Sequence, residues 1–576
     1  MKIFVAKKAG FCMGVKMALD MVLATAKEER GPIYVYGSLI HNPQVIQLLE
    51  KRGIKVLAEG EDPSGKVVII RTHGISPAVR QGLKDRKAIL SDATCPLVAK
   101  VQSAIRKRVR SGYNIIIVGN KDHAEIKGLI GFAEGKGMVV NSIEEVEPLP
   151  HMENVCVVGQ TTLNREKYRL ITETIIKRFP NTIVEDTICE ATDLRQSELL
   201  ELSKMVDAVV VVGGRNSANT RHLGQISESV GTPTFMVETE KEIDPEILGR
   251  FELVGVTAGA STPNWMINRV IERLKEIDRR KQKGWKRFGV SLLDFLVKGN
   301  IYIAVGAAFI TYAASVMLAI PAKSETIIIS ALYFFSVYNL NHLADREAAE
   351  FNEPERAIFY ERFGHILLGA SYLSIISAII LAFMEGVWQG GIILAAAILG
   401  RLYSVNIIPA SWEKIRARRL KDIPASKDLF VALAWATVAG LLPAIKNWGD
   451  ISLPSLYVTL IFIFILIYIR TVLFDIRDIE GDHFAGIDTI PILIGKEYTK
   501  LFLLTLTSIL TAILYTSSRV GMLSPIGYYM LLPVGYTLFY LYLYHRRIIS
   551  HGIAAELVID GTLILSGLIG MVYLLI

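Results

Sequence analysis

The sequence contains little cysteine and little charge for its length. Of its 576 residues, only four are cysteine and 21% are charged. Four cysteines exclude a disulfide-stabilised scaffold and are typical of a reducing compartment. The net charge of +7 is too small to indicate a nucleic-acid partner. Apolar residues make up 51%, and the mean hydropathy of +0.38 excludes a disordered chain and is rare for a wholly soluble one.

The apolar residues are unevenly distributed, and the character of the chain changes near Arg280. Before this point, short β-branched runs alternate with charged amphipathic segments, which predicts an α/β fold with parallel sheets. The N-terminus, MKIFVAKKAGF, lacks the apolar core of a signal peptide, so we expect this half to stay in the cytoplasm. The clearest runs are 67–72, 114–118, 208–212 and 251–257.

From residue 301 onward, long apolar stretches predict an all-α membrane domain. Each stretch is close to the ~20 residues that cross a bilayer. The basic segment RRKQKGWKR (279–287) precedes the first stretch, and we interpret it as an anchor on the anionic membrane lipid rather than a solvated charge run. The nine predicted spans are 301–320, 325–341, 364–384, 387–404, 428–445, 454–474, 499–516, 523–544 and 552–576.

The basic residues in the loops predict the orientation of the nine spans. With the first half inside, the inner loops contain fourteen lysines and arginines. The outer loops contain only Lys323, Lys446 and Arg519. Such a bias is the positive-inside pattern. It predicts a multi-pass protein of the inner membrane with a cytoplasmic N-terminal domain.

Three of the four cysteines lie where a predicted strand gives way to a predicted helix. Cys12 is in GFCMGV, Cys95 in DATCPLV and Cys189 in DTICEAT, at separations of 83 and 94 residues. This spacing suggests three similar lobes, each offering one thiolate to a common centre. Three thiolates cannot complete a tetrahedral zinc site but could hold an iron–sulfur cluster with one open iron; the alternative is three unconnected buried cysteines. Cys156, in the apolar run NVCVVG, is predicted to be a core residue.

Polar side chains that could bind a ligand also follow predicted strands. A single histidine at such a position is usually structural, but several polar loops together favour a pocket. Their N–H groups, imidazoles and hydroxyls are suited to a diphosphate. Glu125 is the one acid among them and is therefore the candidate proton donor. The other residues are His41, His73, His123, Thr161, Ser217, Asn219 and Ser261.

These motifs resemble the LytB/IspH family, the 4-hydroxy-3-methylbut-2-enyl diphosphate (HMBPP) reductases of the non-mevalonate isoprenoid pathway. The matching segments run through the first 280 residues and include GFCMGV, HGIS, DATCPLVAKV, GQTTL, DTICEATDLRQ, NSANT and AGASTP. The resemblance implies three pseudo-repeated lobes around a [4Fe–4S] cluster held by Cys12, Cys95 and Cys189. We expect an external electron donor of the ferredoxin or flavodoxin type, since no flavin or nicotinamide fingerprint is visible.

The same resemblance implies roles for the polar residues. Glu125 and Thr161 would handle the substrate hydroxyl and deliver a proton. The sequence departs from the family at two positions. Ala218 replaces a usual second serine and removes one diphosphate donor, and Gln102 replaces a common histidine without a consequence that we can assign. The diphosphate would be bound by His41, His73, His123, Ser217, Asn219 and Ser261.

In the apolar half, acidic side chains lie at the inner ends of two spans. Asn341 and Asp345 are four residues apart after the second span. Asp475, Asp478 and Asp482 follow the spacing i, i+3, i+7 after the sixth. Each set therefore lies on one helix face. Two such faces at one cavity could hold Mg²⁺ that bridges a diphosphate; the alternative is a set of hydrated loop acids.

This half resembles the UbiA superfamily of intramembrane prenyltransferases, which has nine spans and two Asp-rich motifs. DIRDIEGDHFAGIDTIP fits the second motif, whereas NHLADREAA fits the first, NDxxDxxxD, only in part. His342 and Ala349 replace two of its aspartates, and Glu350 lies about 140° around a helix from Asp345. The resemblance covers residues 290–576 and implies a prenyl diphosphate donor, an unknown acceptor and bound Mg²⁺.

We therefore expect a fusion of three parts: an HMBPP reductase (1–280), a basic juxtamembrane linker (281–300) and a UbiA-like membrane domain (301–576). The reductase would yield isopentenyl and dimethylallyl diphosphate. Two alternatives remain open for the second half. It could be a noncatalytic anchoring or binding module, or prenylation of a quinone or lipid precursor could be the main role of the chain.

Overall fold

The chain folds into two compact units, Met1–Lys281 and Gln282–Ile576. The computed structural model describes residues 1–28, 31–58, 60–281, 285–344, 351–404, 423–546 and 552–576. Within these residues the first unit alternates strands and helices, and the second consists of helices and their connections.

The described residues of the first unit form three four-stranded sheets, and every strand pair is parallel. The strand orders are β1-β12-β10-β11, β3-β2-β4-β5 and β7-β6-β8-β9. The prediction of three α/β lobes is therefore confirmed. The strands are β1 (Lys2–Val5), β2 (Ile33–Tyr36), β3 (Ile54–Val56), β4 (Val67–Ile70), β5 (Ile89–Asp92), β6 (Asn114–Val118), β7 (Gly137–Val140), β8 (Val155–Gly159), β9 (Thr182–Val184), β10 (Ala208–Val212), β11 (Thr234–Val237) and β12 (Leu253–Ala258).

Helices connect these strands and cover the sheets. The amphipathic segments predicted from the sequence form them, with buried aliphatic residues on one side. Two short 3₁₀ turns occupy Gly131–Ala133 and Glu240–Glu242. The helices are α1 (Met13–Glu28), α2 (Pro43–Lys51), α3 (Pro77–Asp85), α4 (Pro96–Arg110), α5 (Ala124–Ile130), α6 (Arg165–Arg178), α7 (Glu190–Ser203), α8 (Ala218–Ser229), α9 (Pro245–Leu248) and α10 (Asn264–Lys281).

The central strands are apolar on both faces because helices pack on each side of a parallel sheet. In β10, the residues AVVVV are all buried, and Val210 pairs with Val256 of β12. In β8, the side chain of Cys156 is 0% exposed and lies among aliphatic residues. Cys156 therefore lies in the core, as the sequence predicts.

The second unit contains eleven helices among its described residues, the last of which ends one residue before the C-terminus. A π-helical turn, Ala436–Leu441, interrupts α16 before Pro443. The helices are α11 (Trp285–Lys298), α12 (Ile301–Met317), α13 (Ser324–Ala344), α14 (Pro354–Glu385), α15 (Val387–Ser404), α16 (Ser426–Ile445), α17 (Leu453–Ala485), α18 (Ile490–Ile494), α19 (Lys496–Arg519), α20 (Ile526–His545) and α21 (Ile553–Leu575).

Seven of these helices, α13, α14, α16, α17, α19, α20 and α21, are long and apolar enough to cross a membrane. They indicate a multi-pass membrane protein and correspond to seven of the nine predicted spans. The other two predicted spans form shorter apolar helices, α12 and Val387–Tyr403 within α15. Counting α12 as a span requires joining it to Phe288–Lys298 of α11, from which it is bent by 68°.

The core of the second unit is aromatic and aliphatic, and it also contains a buried ion pair. The rings of Phe334 and Trp435 stack with centroids 3.9 Å apart. Arg470, inside a candidate span, donates from Nε to Asp560 at 2.6 Å and from Nη1 to the Tyr338 hydroxyl at 3.0 Å. A charged side chain within a candidate span requires such partners, because an isolated charge in an apolar medium is costly.

Candidate active site

The three sheets present equivalent loops at the carboxyl ends of their strands. The edge strands β1, β5 and β9 lead into Cys12, Cys95 and Cys189. Each cysteine comes directly before a helix, and Cys95 and Cys189 are the N-cap residues of α4 and α7. The lobes therefore deliver one thiol each from the same position in the sheet.

The strands beside the edge carry the predicted ligand-binding residues. The second strand of each lobe, β12, β4 or β8, leads into Ser261, His73 or Thr161. The third strand, β10, β2 or β6, leads into the loops that contain Ser217, His41 and His123. All of these residues follow carboxyl ends of parallel strands, the side of a sheet on which α/β proteins bind ligands.

Backbone hydrogen bonds join the cysteine loop of each lobe to its neighbouring loop. In every case the N–H group of the cysteine donates to a carbonyl at, or next to, a predicted binding residue. The same bond recurs three times because the three lobes share one strand arrangement. The bonds are Cys12 to Ala260 at 3.1 Å, Cys95 to Thr72 at 2.9 Å and Cys189 to Thr161 at 2.8 Å.

The three thiols are free, half-buried and close enough to interact. Burial raises the pKa of Cys95, and the neighbouring Cys12 and Cys189 add to this effect. Backbone N–H groups of Leu97 and Val98 donate to the Cys95 sulfur and act in the opposite direction. Three thiols at helix N-termini form a donor set that fits an iron–sulfur cluster, because N–H groups and helix dipoles stabilise thiolates.

A buried arginine lies beside this thiol centre. Arg195 of α7 is 3% exposed and donates to the carbonyls of Lys8 and Gly10, at 2.8 Å each. Its charge interacts with Cys12 and Cys189. The guanidinium therefore fixes the loop before Cys12 and offsets the negative charge of thiolates.

His41, His73 and His123 come together from two lobes. One ring nitrogen from each lies within 4.8 Å of the others, a geometry that could also hold a metal ion. Burial lowers the pKa of all three, to about 4 for His123, and the charge of Arg71 contributes to each. The imidazoles are therefore neutral at pH 7, and the positive potential around them favours an anion over a cation.

Glu125 is buried and held by Thr161 on the neighbouring loop. The backbone N–H group of Thr161 donates to one Glu125 oxygen at 2.8 Å, and the Thr161 hydroxyl lies 3.0 Å from the other. Burial raises the pKa of Glu125 to about 7, although both bonds from Thr161 oppose this shift. The carboxyl can thus carry a proton near neutral pH, as a proton donor must.

The remaining predicted ligands occupy the lobe that contains β10. Asn219 is 6% exposed, and neither its amide nitrogen nor its amide oxygen has a hydrogen-bond partner among the described residues. Ser217 caps α8 by accepting from the Thr220 N–H group at 3.3 Å. Ser261 is half-buried. A buried amide without partners is costly, so Asn219 indicates a place for a polar ligand.

Comparison with known proteins agrees with this arrangement. Residues 3–275 match the LytB protein family. The 4-hydroxy-3-methylbut-2-enyl diphosphate reductase of Geobacter sulfurreducens is 42% identical over 282 residues, which are 49% of this chain and 100% of that protein. The chain belongs to the LytB family. The reductase of the same name from a Thermoanaerobacter species is 42% identical over 279 residues, 48% of this LytB-family chain and 97% of that protein.

The second half of this LytB-family chain matches a different family. Residues 300–556 match the UbiA prenyltransferase family. A UbiA homologue from Archaeoglobus fulgidus, solved with DMAPP and Mg²⁺, is 17% identical, with a TM-score of 0.36, covering 48% of this chain and 96% of that chain.

The acidic residues predicted to bind Mg²⁺ in the UbiA half have different partners. Asp475 accepts from Lys427 Nζ at 2.9 Å, and Asp482 accepts from the Asn352 amide at 2.7 Å. Both Asp478 oxygens accept from its neighbour Arg477, at 2.7 and 2.8 Å. Asp475 and Asp482 each retain one buried oxygen without a described partner, whereas Asp478 is occupied by its ion pair.

The first predicted Mg²⁺ motif is only partly described. Asn341 lies on α13, and Asp345, like Ala349 and Glu350, lies outside the described residues. His342 contacts Arg356 at 3.0 Å. The segment RARRLK (416–421), which belongs to a predicted inner loop, also lies outside them.

Sequence reasoning missed several charged residues near these sites. Arg71 precedes the HGIS motif and its charge lowers the pKa of the three histidines, and Arg195 lies in the quoted motif DTICEATDLRQ. In the UbiA half, Asp428 is buried, with no described partner for either oxygen, and Glu353 accepts from Arg477 at 2.5 Å. For Arg71 and Arg195 the available signal was a position beside or within a named motif. Asp428 and Glu353 lie outside the named motifs, and the contact of Glu353 with Arg477 joins distant segments of the chain.

Gly14 provides a test of the thiol centre. A Cβ atom at this position would lie 2.6 Å from Cys95 Sγ and 3.1 Å from Cys95 Cβ. Cys95 cannot easily move away, because it is the N-cap residue of α4. Gly14→Ala should therefore reduce the iron content and cost about 1–3 kcal/mol of stability. Iron analysis and thermal unfolding of the first unit measure both effects.

Gly82→Ala is the matched control, since Gly82 is also in a helix and nothing lies within 4 Å of its added Cβ. It should leave the iron content unchanged and gain up to ~1 kcal/mol from helix propensity. If Gly14→Ala has the same iron content and the same unfolding temperature as the wild type, Cys95 does not occupy the position described.

Proposed function

We propose that the LytB unit reduces HMBPP to isopentenyl and dimethylallyl diphosphate at the carboxyl ends of its three sheets. One observation carries the proposal: three thiols, three neutral imidazoles and a protonatable carboxyl converge from equivalent loops. The similarity to reductases of this name over their whole length supports it. The net reaction replaces an allylic C–O bond with a C–H bond, consumes two electrons and two protons, and releases water.

Cys12, Cys95 and Cys189 would hold a [4Fe–4S] cluster, and their N–H and guanidinium surroundings fit its negative charge. When bound, the cluster supplies electrons and a Lewis-acidic iron. The sequence has only four cysteines, and Cys156 is enclosed in β8, so no thiol remains for a fourth ligand. Electrons would come from an external donor of the ferredoxin or flavodoxin type.

The polar loops would bind and orient the diphosphate. Neutral His41, His73 and His123 can donate from their N–H groups, and the unpartnered Asn219 amide can join them. Ser217 and Ser261 would add hydroxyl donors from the first lobe. Fixing the diphosphate from several lobes places the other end of the substrate at the thiol centre, and orientation of this kind lowers the barrier substantially.

Glu125 would provide the proton for the departing hydroxyl group. Its raised pKa keeps the carboxyl protonated below about 7, and Thr161 holds it in place through two bonds. Because Thr161 also accepts from the Cys189 N–H group, the proton donor is connected to the loop of a cluster ligand. Residues 1–280 would work on the cytoplasmic side of the inner membrane, to which the basic segment 281–300 links them.

The pH dependence of turnover tests the role of Glu125. The proton-donating form is lost as the pH rises through the pKa of about 7, so kcat for HMBPP should fall above this pH. Glu125→Gln should retain the iron and bind HMBPP but lose at least about 100-fold in kcat, the usual scale of acid catalysis. Steady-state assays between pH 5.5 and 9 measure both.

An exposed acid in the same lobe provides the control for this experiment. Glu134 directly follows the 3₁₀ turn after α5 and is open to solvent. Glu134→Gln should reproduce the wild-type profile. Near-normal turnover by Glu125→Gln would show that Glu125 only binds or supports the site.

For the second half, we infer intramembrane prenyl transfer with Mg²⁺, on the strength of its match to the UbiA family. The buried, unpartnered oxygens of Asp475 and Asp482 support a cation site, because carboxylate oxygens are what Mg²⁺ prefers. The donor would be a prenyl diphosphate. The alternative, a noncatalytic anchor, is favoured by the internal cations Lys427 and Arg477, which already neutralise part of this acidic group.

A pair of variants separates the two hypotheses for the UbiA half. In membranes containing the full chain, Asp482→Asn should weaken Mg²⁺ activation of prenyl transfer by at least about tenfold. Asp478→Asn should instead leave Mg²⁺ activation nearly unchanged and only lower the stability of the membrane domain, because Arg477 loses one carboxylate but keeps its bond to Glu353. A panel of prenyl diphosphates with aromatic and lipid acceptors provides the assay.

If no donor is bound or cleaved with Mg²⁺ present, while an established UbiA enzyme works alongside, the anchoring role is correct. If Asp478→Asn folds and selectively loses Mg²⁺ activation, Asp478 is a ligand and its ion pair with Arg477 opens during function.

A further inference from the structure

Arg71 is a partly buried cation that has no carboxylate partner among the described residues. It follows β4, two residues before His73. Its Nε atom is buried and has no hydrogen-bond partner, and among the described residues no carboxylate acts on its guanidinium. A guanidinium in this situation loses hydration without compensation, which is costly unless a ligand completes the site.

Gly37 makes room for this side chain. A Cβ atom at Gly37 would lie 2.5 Å from Arg71 Nη1 and 3.2 Å from Arg71 Cζ, and the backbone there has a φ of +74°. The turn after β2, which leads to His41, therefore passes directly over the guanidinium. This close approach places the Arg71 guanidinium beside the turn that leads to His41, while Arg71 itself belongs to the loop that carries His73.

The charge of Arg71 acts on His41, His73 and His123 alike. It thus reaches the whole group of imidazoles proposed to bind the diphosphate. A second charge, on exposed Arg221 of α8, acts on His41 and His123. The potential at this group is positive although the imidazoles themselves are neutral.

The other proposed ligands bring no positive charge. Serine hydroxyls, the Asn219 amide and neutral imidazoles can donate hydrogen bonds, but a diphosphate carries at least two negative charges at neutral pH. Because a partly buried anion requires a counter-charge, the neutral donors leave the site electrostatically incomplete.

We propose that Arg71 is a diphosphate-binding residue of this reductase, and that its guanidinium supplies the counter-charge that the neutral donors lack. The inference rests on the proposed reduction of HMBPP. Arg221 strengthens the same potential from the solvent side and is the weaker contributor, because exposed charges are screened.

The test uses the full-length, cluster-loaded protein under anaerobic conditions. Arg71→Gln should raise both the KM for HMBPP and the inhibition constant of inorganic diphosphate about ten- to hundredfold, with kcat within about threefold. Arg71→Lys should recover part of the loss, since it restores charge but not the planar fork. Cluster absorption and the melting temperature should match the wild type.

Arg86→Gln is the control, because Arg86 is exposed and bonds only to the Gly82 carbonyl among the described residues. It should leave both constants unchanged. If Arg71→Gln does not accumulate, Arg71→Lys decides the question: a severalfold rise in both constants at constant kcat supports the proposal, and unchanged constants overturn it.

Failure of the inference and failure of the proposed function give different results. If the wild type neither reduces HMBPP nor binds inorganic diphosphate, the proposed function is wrong. If the wild type does both and Arg71→Gln has the same KM and inhibition constant, only the role of Arg71 is wrong. A fall in kcat with an unchanged inhibition constant would also overturn it.

Discussion

Three equivalent backbone hydrogen bonds, from the N–H groups of Cys12, Cys95 and Cys189, determine how the rest of the site is arranged. Each joins the loop after an edge strand to the loop after its neighbour, and so holds a thiol next to a predicted polar ligand. The parallel sheets make this possible, because the carboxyl ends of adjacent strands lie side by side. A polar side chain of one lobe is thereby held close to the group of three cysteines, to which every lobe contributes one thiol.

Burial then determines the protonation states of the three histidines and of Glu125. The same loss of hydration keeps the imidazoles neutral and keeps the Glu125 carboxyl protonated near pH 7. It also leaves Arg71 a cation with no described carboxylate near it, and the charge of Arg71 acts on the histidines. In the UbiA half, by contrast, the buried carboxylate of Asp478 has a cationic partner, because Arg477 on the same helix donates to it.

Much of this architecture follows from the sequence, because its signals are local. The runs at 114–118 and 208–212 are β6 and β10, and Cys156 lies in the core. The contacts of Arg71, and the pairing of Asp482 with Asn352 130 residues away, depend on distant segments. The predicted span 301–320 became a short helix bent by 68° from the one before it, which apolar composition cannot reveal.

The central claim is that three loops hold one cluster and leave one iron without a protein thiolate. Mössbauer spectroscopy of the anaerobically purified full chain, labelled with the appropriate iron isotope, tests it most directly. The account predicts about four irons per chain, one of them distinct and altered by HMBPP. Serine at Cys12, Cys95 or Cys189 should abolish this spectrum, and Cys156→Ser should preserve it. Loss of the spectrum in Cys156→Ser, or its full retention in Cys95→Ser, would contradict the account.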